Sequence, residues 1–562
     1  MTDTVGVPGA TQPNAGRQWR THRPNEERVV RLLGTLVAAG AALPLGYLIW
    51  QVYELGWSDV RTILTSGNTW RLLADTLQLT IAVTAAAVTI AVPLAWLTTR
   101  TDLPFRPLWV ILTALPLAIP TYVGSFAMIG ALGPRGMLQS WLEPLGVERL
   151  PSIYGFGGTF IVLTLFTYPY VLLPVRAAYR RLDPSLEEAS RTLGQGSFTT
   201  FVRVVVPQLR PSIVAGALLV ALYTLSDFGA VSMLRYPTLT RAIYNRLQGA
   251  LDPGAAAVLG LILVALTLLV FGAEQRFRGR EQIYRLHGSG ARRSRPIRLG
   301  RWRWVAFGAC TTLVTVALVV PLAVIGYWLW RGARAGESVL PDLDLVANSL
   351  QASALGALLT VAAAWPIALL SVRYRSRLSR LVERLAWSGY ALPGVVVAFS
   401  LVFFGAQHLT WAYQTMWMLV FAYVVLFLPQ AIGAMRSSLL QITPSLEEAS
   451  RLLGSGSVDT FRRIVVPLTR PGVLAGGALV FLTCMKELPA TLLLAPTGFD
   501  TLATRLWNAH NEAFLARAAA PAIGLVLLSS VPMAFLVLHE TQRSQSDANA
   551  IAGAPATETS TR

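Results

Sequence analysis

One stretch of this chain occurs twice, and that duplication constrains the fold more than any other feature. Residues 184–211 read PSLEEASRTLGQGSFTTFVRVVVPQLRP, and residues 444–471 read PSLEEASRLLGSGSVDTFRRIVVPLTRP. Twenty of the 28 positions are identical at a constant offset of 260, and Arg176 and Arg436 match at the same offset. Two apolar helices can look alike by composition. Glu, Gly, Arg and Pro kept together in register mark a duplicated structural unit.

The flanking sequence says what the unit is. Twelve apolar segments lie near 30–52, 74–98, 108–132, 157–178, 211–233, 255–273, 304–329, 347–371, 387–406, 414–435, 471–494 and 517–538. Each approaches the roughly 20 residues that a helix needs to cross a bilayer. Charged residues are 14% of the chain and hydrophobic residues 54%, against roughly 25% charged in soluble domains. That balance excludes a string of soluble domains, and equally a disordered chain. The expected fold is an all-α polytopic membrane protein with about 12 transmembrane helices, six per half. Pro116 and Pro120 are tolerable inside a span when neighbours satisfy the freed carbonyls. An even number of spans per half gives both copies one orientation, so the repeats are parallel rather than inverted.

The net charge of +18 comes from arginines between the spans, densest at 274–303. In an apolar chain this pattern sets topology and does not imply nucleic acid. It places the N- and C-termini of a multi-pass membrane protein in the cytoplasm. The organisation reads as a disordered cytoplasmic tail (1–28), a first half (29–273), a basic cytoplasmic linker (274–303), a second half (304–539) and a second tail (540–562). The first apolar segment reads as a retained span, not a cleaved leader. Linker arginines suit anionic membrane lipid, although a loop that merely sets topology has the same composition.

Both copies of the duplicated stretch fall on the cytoplasmic side. Pro184 opens a helix with Glu187 and Glu188 at its positive dipole end. Gly194 and Gly196 interrupt it, and Pro207 and Pro211 precede the next span. The expectation is a short surface helix, a bend and a return into the membrane, repeated as a paired docking platform. Glu188 and Glu448 either meet arginines on a partner or cap local amides. Gly194 and Gly454 allow close backbone approach.

Charges inside the membrane are costly and single out a second group. The 260 offset sets Asp227 opposite Glu487 and Ser226 opposite Lys486, the chain's single lysine. In one reading these four line a central pathway and attract a cation, with Lys486 pairing an acid or meeting an accompanying anion. In the other they form a structural ion pair or helix-end network. Cys310 and Cys484 lie in apolar runs, and the five histidines are scattered. No metal site follows, and no catalytic residue is assigned. The phosphate-binding pattern GxxxxGK[ST] does not occur, so ATP must be bound elsewhere and the chain is not itself an enzyme.

The duplicated stretch resembles the signature loop of cytoplasmic-membrane permeases of bacterial ATP-binding-cassette importers: Glu-Ala-Ala, three residues, Gly, nine residues, Ile, one residue, Leu-Pro. The first copy matches with Glu188, Ala189, Ser190, Gly194, Val204, Val206 and Pro207. The second matches with Glu448, Ala449, Ser450, Gly454, Ile464, Val466 and Pro467. The resemblance implies a type I importer permease fold. It implies that Glu188, Ala189, Gly194, Pro207 and their second-half counterparts sit in grooves of two ATPase subunits, which hold ATP and Mg2+. An extracytoplasmic binding protein would deliver substrate. Leu225–Val231, Lys486–Leu494 and Pro496–Ala503 look like the fused two-half permeases of ferric iron importers. Permeases for thiamine, polyamines and aminophosphonates share parts of this pattern. An ion-coupled secondary transporter would leave the paired loops unexplained.

Overall fold

In hydrocarbon a peptide group must find its partner within the protein, so a long apolar run closes its own hydrogen bonds as a helix. The computed structural model describes residues 24–134, 136–146, 150–182, 184–250, 252–281, 297–338, 340–374 and 376–530. Most of the two expected tails and the middle of the basic linker lie outside these. The described first half contains α1 (Pro24–Leu55), α2 (Gly67–Arg100), α3 (Thr121–Leu132), α4 (Phe156–Thr167), α5 (Pro169–Arg181), α6 (Pro184–Thr192), α7 (Val206–Ser226), α8 (Gly229–Met233) and α9 (Pro253–Glu281). The second contains α10 (Trp302–Val314), α11 (Val320–Arg334), α12 (Leu343–Val372), α13 (Gly394–His408), α14 (Met416–Leu439), α15 (Pro444–Leu452), α16 (Val466–Lys486), α17 (Pro489–Leu494) and α18 (Leu502–Asn511).

The expected all-α membrane fold is what the described residues show, with the spans in unequal form. Among the described residues nine helices are long and apolar enough to cross a membrane, or eleven if two bent pairs each count as one span. The bent pairs are Arg106–Ala118 with Thr121–Leu145, turned by 94°, and Arg377–Ala391 with Gly394–His408, turned by 106°. Each bend falls at a proline, Pro120 or Pro393, whose ring forces the residue before it out of the helical region. Ile119 (φ −83°, ψ 120°) and Leu392 (φ −95°, ψ 113°) are accordingly extended. The twelfth expected segment is described as the shorter helix Leu515–Ser530; the remainder lies outside the described residues. Pro120 and Pro393 are 273 residues apart, against 260 for the duplicated loops. The repeat therefore has two registers, because the first half holds 13 more residues between these points.

The two hydrophobic cores do not coincide with the two sequence halves. One core joins α2 to α5 with Cys310, Val314, Ile325 and Trp328 of α10 and α11, and with residues from Leu502 to Val526. The other joins Ala38, Ala41 and Leu48 of α1 and Leu259 and Leu263 of α9 to the second half's α12 to α14. Each half thus lends its first span to the other. Trp328 Nε1 donates to the Gly130 carbonyl at 3.2 Å, and Tyr47 OH donates to Gln407 Oε1 at 2.8 Å. A Cβ on Gly130 would lie 2.7 Å from the Trp328 nitrogen, so glycine is what admits the indole.

Within each half, α7 and α16 lie close to α5 and α14. A Cβ on Gly216 would stand 2.7 Å from Val171 Cα, and one on Gly476, 260 residues on, 2.9 Å from Ala434 Cβ. Gly216→Leu should therefore cost about 1–3 kcal/mol through overpacking and lower the thermal midpoint of the detergent-solubilised protein. Gly46→Leu, where a Cβ meets nothing within 4 Å, should leave that midpoint almost unchanged. Equal midpoints for the two variants would contradict this packing.

Candidate functional site

Four helix breaks meet at the boundary between the halves. Two are the proline bends just described. The others follow α7 and α16, where Asp227 (ψ 129°) and Glu487 (ψ 117°) turn extended before α8 and α17 begin. A broken helix exposes backbone N–H groups, and a carboxylate beside the next helix start can accept from them. Asp227 Oδ1 accepts from the Ala230 and Val231 N–H groups at 3.0 and 3.3 Å, while Oδ2 accepts from Thr121 Oγ1 at 2.6 Å. Glu487 Oε1 accepts from Ala490 N–H at 3.2 Å. Behind them Thr240 and Thr491 hydroxyls donate to the Asp227 and Glu487 carbonyls.

The two halves fill the same cap differently. In the 273 register Thr121 corresponds to Gly394. The shorter aspartate is met by a threonine hydroxyl. The longer glutamate occupies the space a side chain would need, since a Cβ on Gly394 would lie 2.5 Å from Glu487 Oε1.

A cavity of about 470 Å³ lies between the halves. Tyr122, Tyr170, Tyr223, Ser226 and Asp227 line it from the first half, and Tyr390, Gln430, Thr483, Lys486 and Glu487 from the second. All four membrane residues singled out in the sequence therefore meet at one cavity, in unequal states. Asp227 is buried and its carboxylate is occupied by the cap. Glu487 is partly buried and borders the open space. Lys486 Nζ donates to the Leu117 carbonyl at 3.0 Å. No ion pair among the described residues joins Lys486 to either acid. Leu117 lies in the short helical turn before the first proline bend, so the lysine ties the second half to a carbonyl of the first. Among the described residues no three His, Cys, Asp or Glu side chains converge as a metal centre would require.

The duplicated loops fold as paired copies. Gln195 N–H bonds the Ser190 carbonyl and Gly194 N–H the Arg191 carbonyl, a turn that ends α6 with a left-handed residue. Gly194 has φ +80° and Gly454 φ +88°, and a Cβ on either meets nothing within 4 Å. These glycines are thus required by backbone conformation; within the chain there is no close approach of the kind expected. Ser190 and Thr200 hydroxyls lie 2.9 Å apart, and Ser450 and Thr460 3.0 Å. The serines that replace the signature's second alanine therefore join the two arms of each loop. Pro207 and Pro467 stand in the first turns of α7 and α16. Glu188, Ala189, Glu448 and Ala449 are exposed. Among the described residues no hydrogen bond or ion pair holds either glutamate. Leu193, Leu452 and Leu453 are more than four-fifths exposed beside them.

Sequence reasoning placed Glu187 at the helix start but found no partner for it or for Glu447. Glu187 pairs with Arg100 at the end of α2, at 3.3 Å, and Glu447 pairs with Arg373 after α12, at 2.6 Å. Arg100 and Arg373 are 273 apart, so a comparison in the second register would have aligned them. The end of the linker also reaches this point: Ile297 N–H bonds the Arg100 carbonyl, Asp102 N–H bonds the Ile297 carbonyl, and Leu299 N–H bonds Asp102 Oδ1.

The family model of the binding-protein-dependent transport system inner membrane component matches residues 87–280 and 356–544. The Fe(3+)-transport system permease protein FbpB 2 of Haemophilus influenzae is 34% identical over 510 residues, covering 90% of this chain and 97% of that protein. The ferric transport system permease protein FbpB of Actinobacillus pleuropneumoniae is 25% identical, covering 78% of this chain and 66% of its own. The sulfate transport system permease protein CysT of Escherichia coli is 28% identical over 41% of this chain and 84% of its own.

The unequal caps give a stability prediction. Asp227→Ala strands the Ala230 and Val231 amides and should cost about 2–3 kcal/mol. Glu487→Ala removes one amide partner and should cost about half as much. Thermal midpoints of the two variants in one detergent would test the order; a larger loss at Glu487 would refute it.

Proposed function

Because the chain belongs to the family of inner membrane components of binding-protein-dependent transport systems, we propose that it is the permease through which such a system imports ferric iron. It is a multi-pass inner-membrane subunit of an ATP-binding-cassette importer. Iron as cargo is supported by the similarity to ferric permeases along nearly the whole chain. The cavity chemistry agrees, since ferric iron favours oxygen ligands and Glu487 and four tyrosines border the space. One accessible carboxylate does not make a resting site. Iron passes through transiently, after capture by a separate external binding protein.

The observation that carries the mechanism is the pair of exposed loops, one per half, joined through α7 and α16 to the helix breaks at the cavity. In this reading both loops and both termini face the cytoplasm. Two ATPase subunits seat on Glu188, Ala189 and Leu193 of one loop and on Glu448, Ala449, Leu452 and Leu453 of the other. ATP and Mg2+ bind those subunits. Closure of the ATPase pair brings the loops together and favours the outward-open state; hydrolysis and release restore the inward-open one. ATP drives this cycle because it binds the two states with different affinity. Lys486 on the Leu117 carbonyl bridges the halves beside the path, and Asp227 and Ser226 complete the wall opposite Glu487.

Proteoliposomes containing the permease and its ATPase should take up radiolabelled ferric iron only with binding protein outside and ATP inside. Uptake driven by an ion gradient without the ATPase would defeat the importer mechanism. Glu487→Gln should lower uptake about tenfold, the scale of a 1.4 kcal/mol change. Asp227→Asn, which keeps an oxygen for the cap, should lower it less. Gly194→Arg and Gly454→Arg each put bulk and a strained left-handed residue on the docking face, and ATPase retained on the purified permease should fall about tenfold. Full retention by both variants would refute the docking face.

A further inference from the structure

The acids that precede the signature glutamates do not face the exposed side of the loops. They turn inward onto arginines. The Arg100 and Glu187 side chains are 7% and 14% exposed, and Arg373 and Glu447 are both 13% exposed. Each arginine makes a second bond to the chain just ahead of the loop: Arg100 to the Leu182 carbonyl at 3.3 Å and Arg373 to the Ile442 carbonyl at 3.1 Å. Leu182 and Ile442 are 260 apart, like Glu187 and Glu447. Two registers of the repeat thus converge on one contact, formed twice. Surface ion pairs are weak and easily screened. A pair this sheltered, with a second bond on the same guanidinium, fixes position and orientation together.

The chain supplies a reason for such a tie. Beyond Gly194 or Gly454 the loop bends, so the loop helix reaches the following span through a turn and a serine–threonine contact and not as one continuous helix. The arginine ties the other end of the loop helix to α2 or α12. These helices have 34 and 30 residues, long enough to cross the bilayer at 1.5 Å per residue. They pack on α7 and α16, which end at the cavity. A proline stands seven residues before each arginine, Pro93 and Pro366, and interrupts the helix hydrogen bonding where the inner end would flex.

We infer that Arg100 and Arg373 are positioning residues that lock each loop helix to the inner end of the second span of its own half, so that displacement of the loop reaches the cavity through that span. The inference rests on the ATPase-docking reading above and assigns a separate step, the delivery of motion after docking. Glu188 and Glu448 serve the partner; Glu187 and Glu447 serve the spans.

The test uses the full permease assembled with its ATPase in proteoliposomes, with three readouts: ATPase retained, ATP hydrolysed, and iron taken up per ATP. Arg100→Gln combined with Arg373→Gln should retain the ATPase and its hydrolysis while uptake per ATP falls about tenfold, within the range of allosteric coupling. Arg100→Lys, which keeps the charge but not the planar guanidinium whose Nη2 meets both Glu187 and the Leu182 carbonyl, should lie between. Exchange of the pair, Arg100→Glu with Glu187→Arg, should recover much of the uptake lost by Arg100→Glu, a rescue that general destabilisation would not produce. Unchanged uptake per ATP in the double variant would overturn the inference. So would loss of uptake only in proportion to lost ATPase, which would make the pair part of the docking surface. If the unaltered chain retained no ATPase, the docking reading would fail first, and the inference with it.

Discussion

A peptide group unpaired in hydrocarbon costs several kcal/mol, and this chain breaks its helices there four times. Three of these breaks find side-chain partners within the protein. Asp227 and Glu487 occupy the amides that follow two of them, threonine hydroxyls reach the carbonyls behind, and Lys486 takes the Leu117 carbonyl beside a third. Carboxylates that a hydropathy argument treats as expensive are thus part of what makes a cavity possible. At these breaks the irregular backbone lies at the boundary between the halves, where it borders open space instead of lipid.

The crossed first spans give that boundary its mechanical character. α1 belongs to the second half's core and α10 and α11 to the first half's core. Each half is clasped by a helix of the other, so separation of the cavity walls must proceed by tilting within shared cores. The loops lead directly into α7 and α16. The repeated serine–threonine and arginine–glutamate contacts make each loop a braced element and not a loose connector.

Much of this was legible in the sequence, for identifiable reasons. Apolar length marks spans, and the duplicated polar pattern marked both loops and the Asp227 and Glu487 positions. The bends at Pro120 and Pro393 were not, because hydropathy records residues and not backbone direction; two of twelve apolar segments are turned pairs. For Lys486 the sequence offers an acid or an accompanying anion as partner because side chains announce charge, whereas a backbone carbonyl such as that of Leu117 has no letter in the sequence. Arg100 and Arg373 escaped because the loops align at 260 and the preceding spans at 273. The exchange of first spans leaves no mark in composition at all, since one apolar helix face resembles another.

That exchange also bears on how the protein is made. Ala38 of α1 shares a core with Ala352 of α12, 314 residues further along the chain. At about 5–20 residues per second of synthesis, α1 waits roughly 15–60 s for the surface it will cover. Its hydrogen bonds are already internal, so lipid can hold it meanwhile as a finished helix. The first half, however, has in that interval a core without α10 and α11. Biogenesis of this chain therefore ends with a late, long-range closure in the membrane, when the second half arrives to supply the missing wall of the first and to receive the helix inserted at the start.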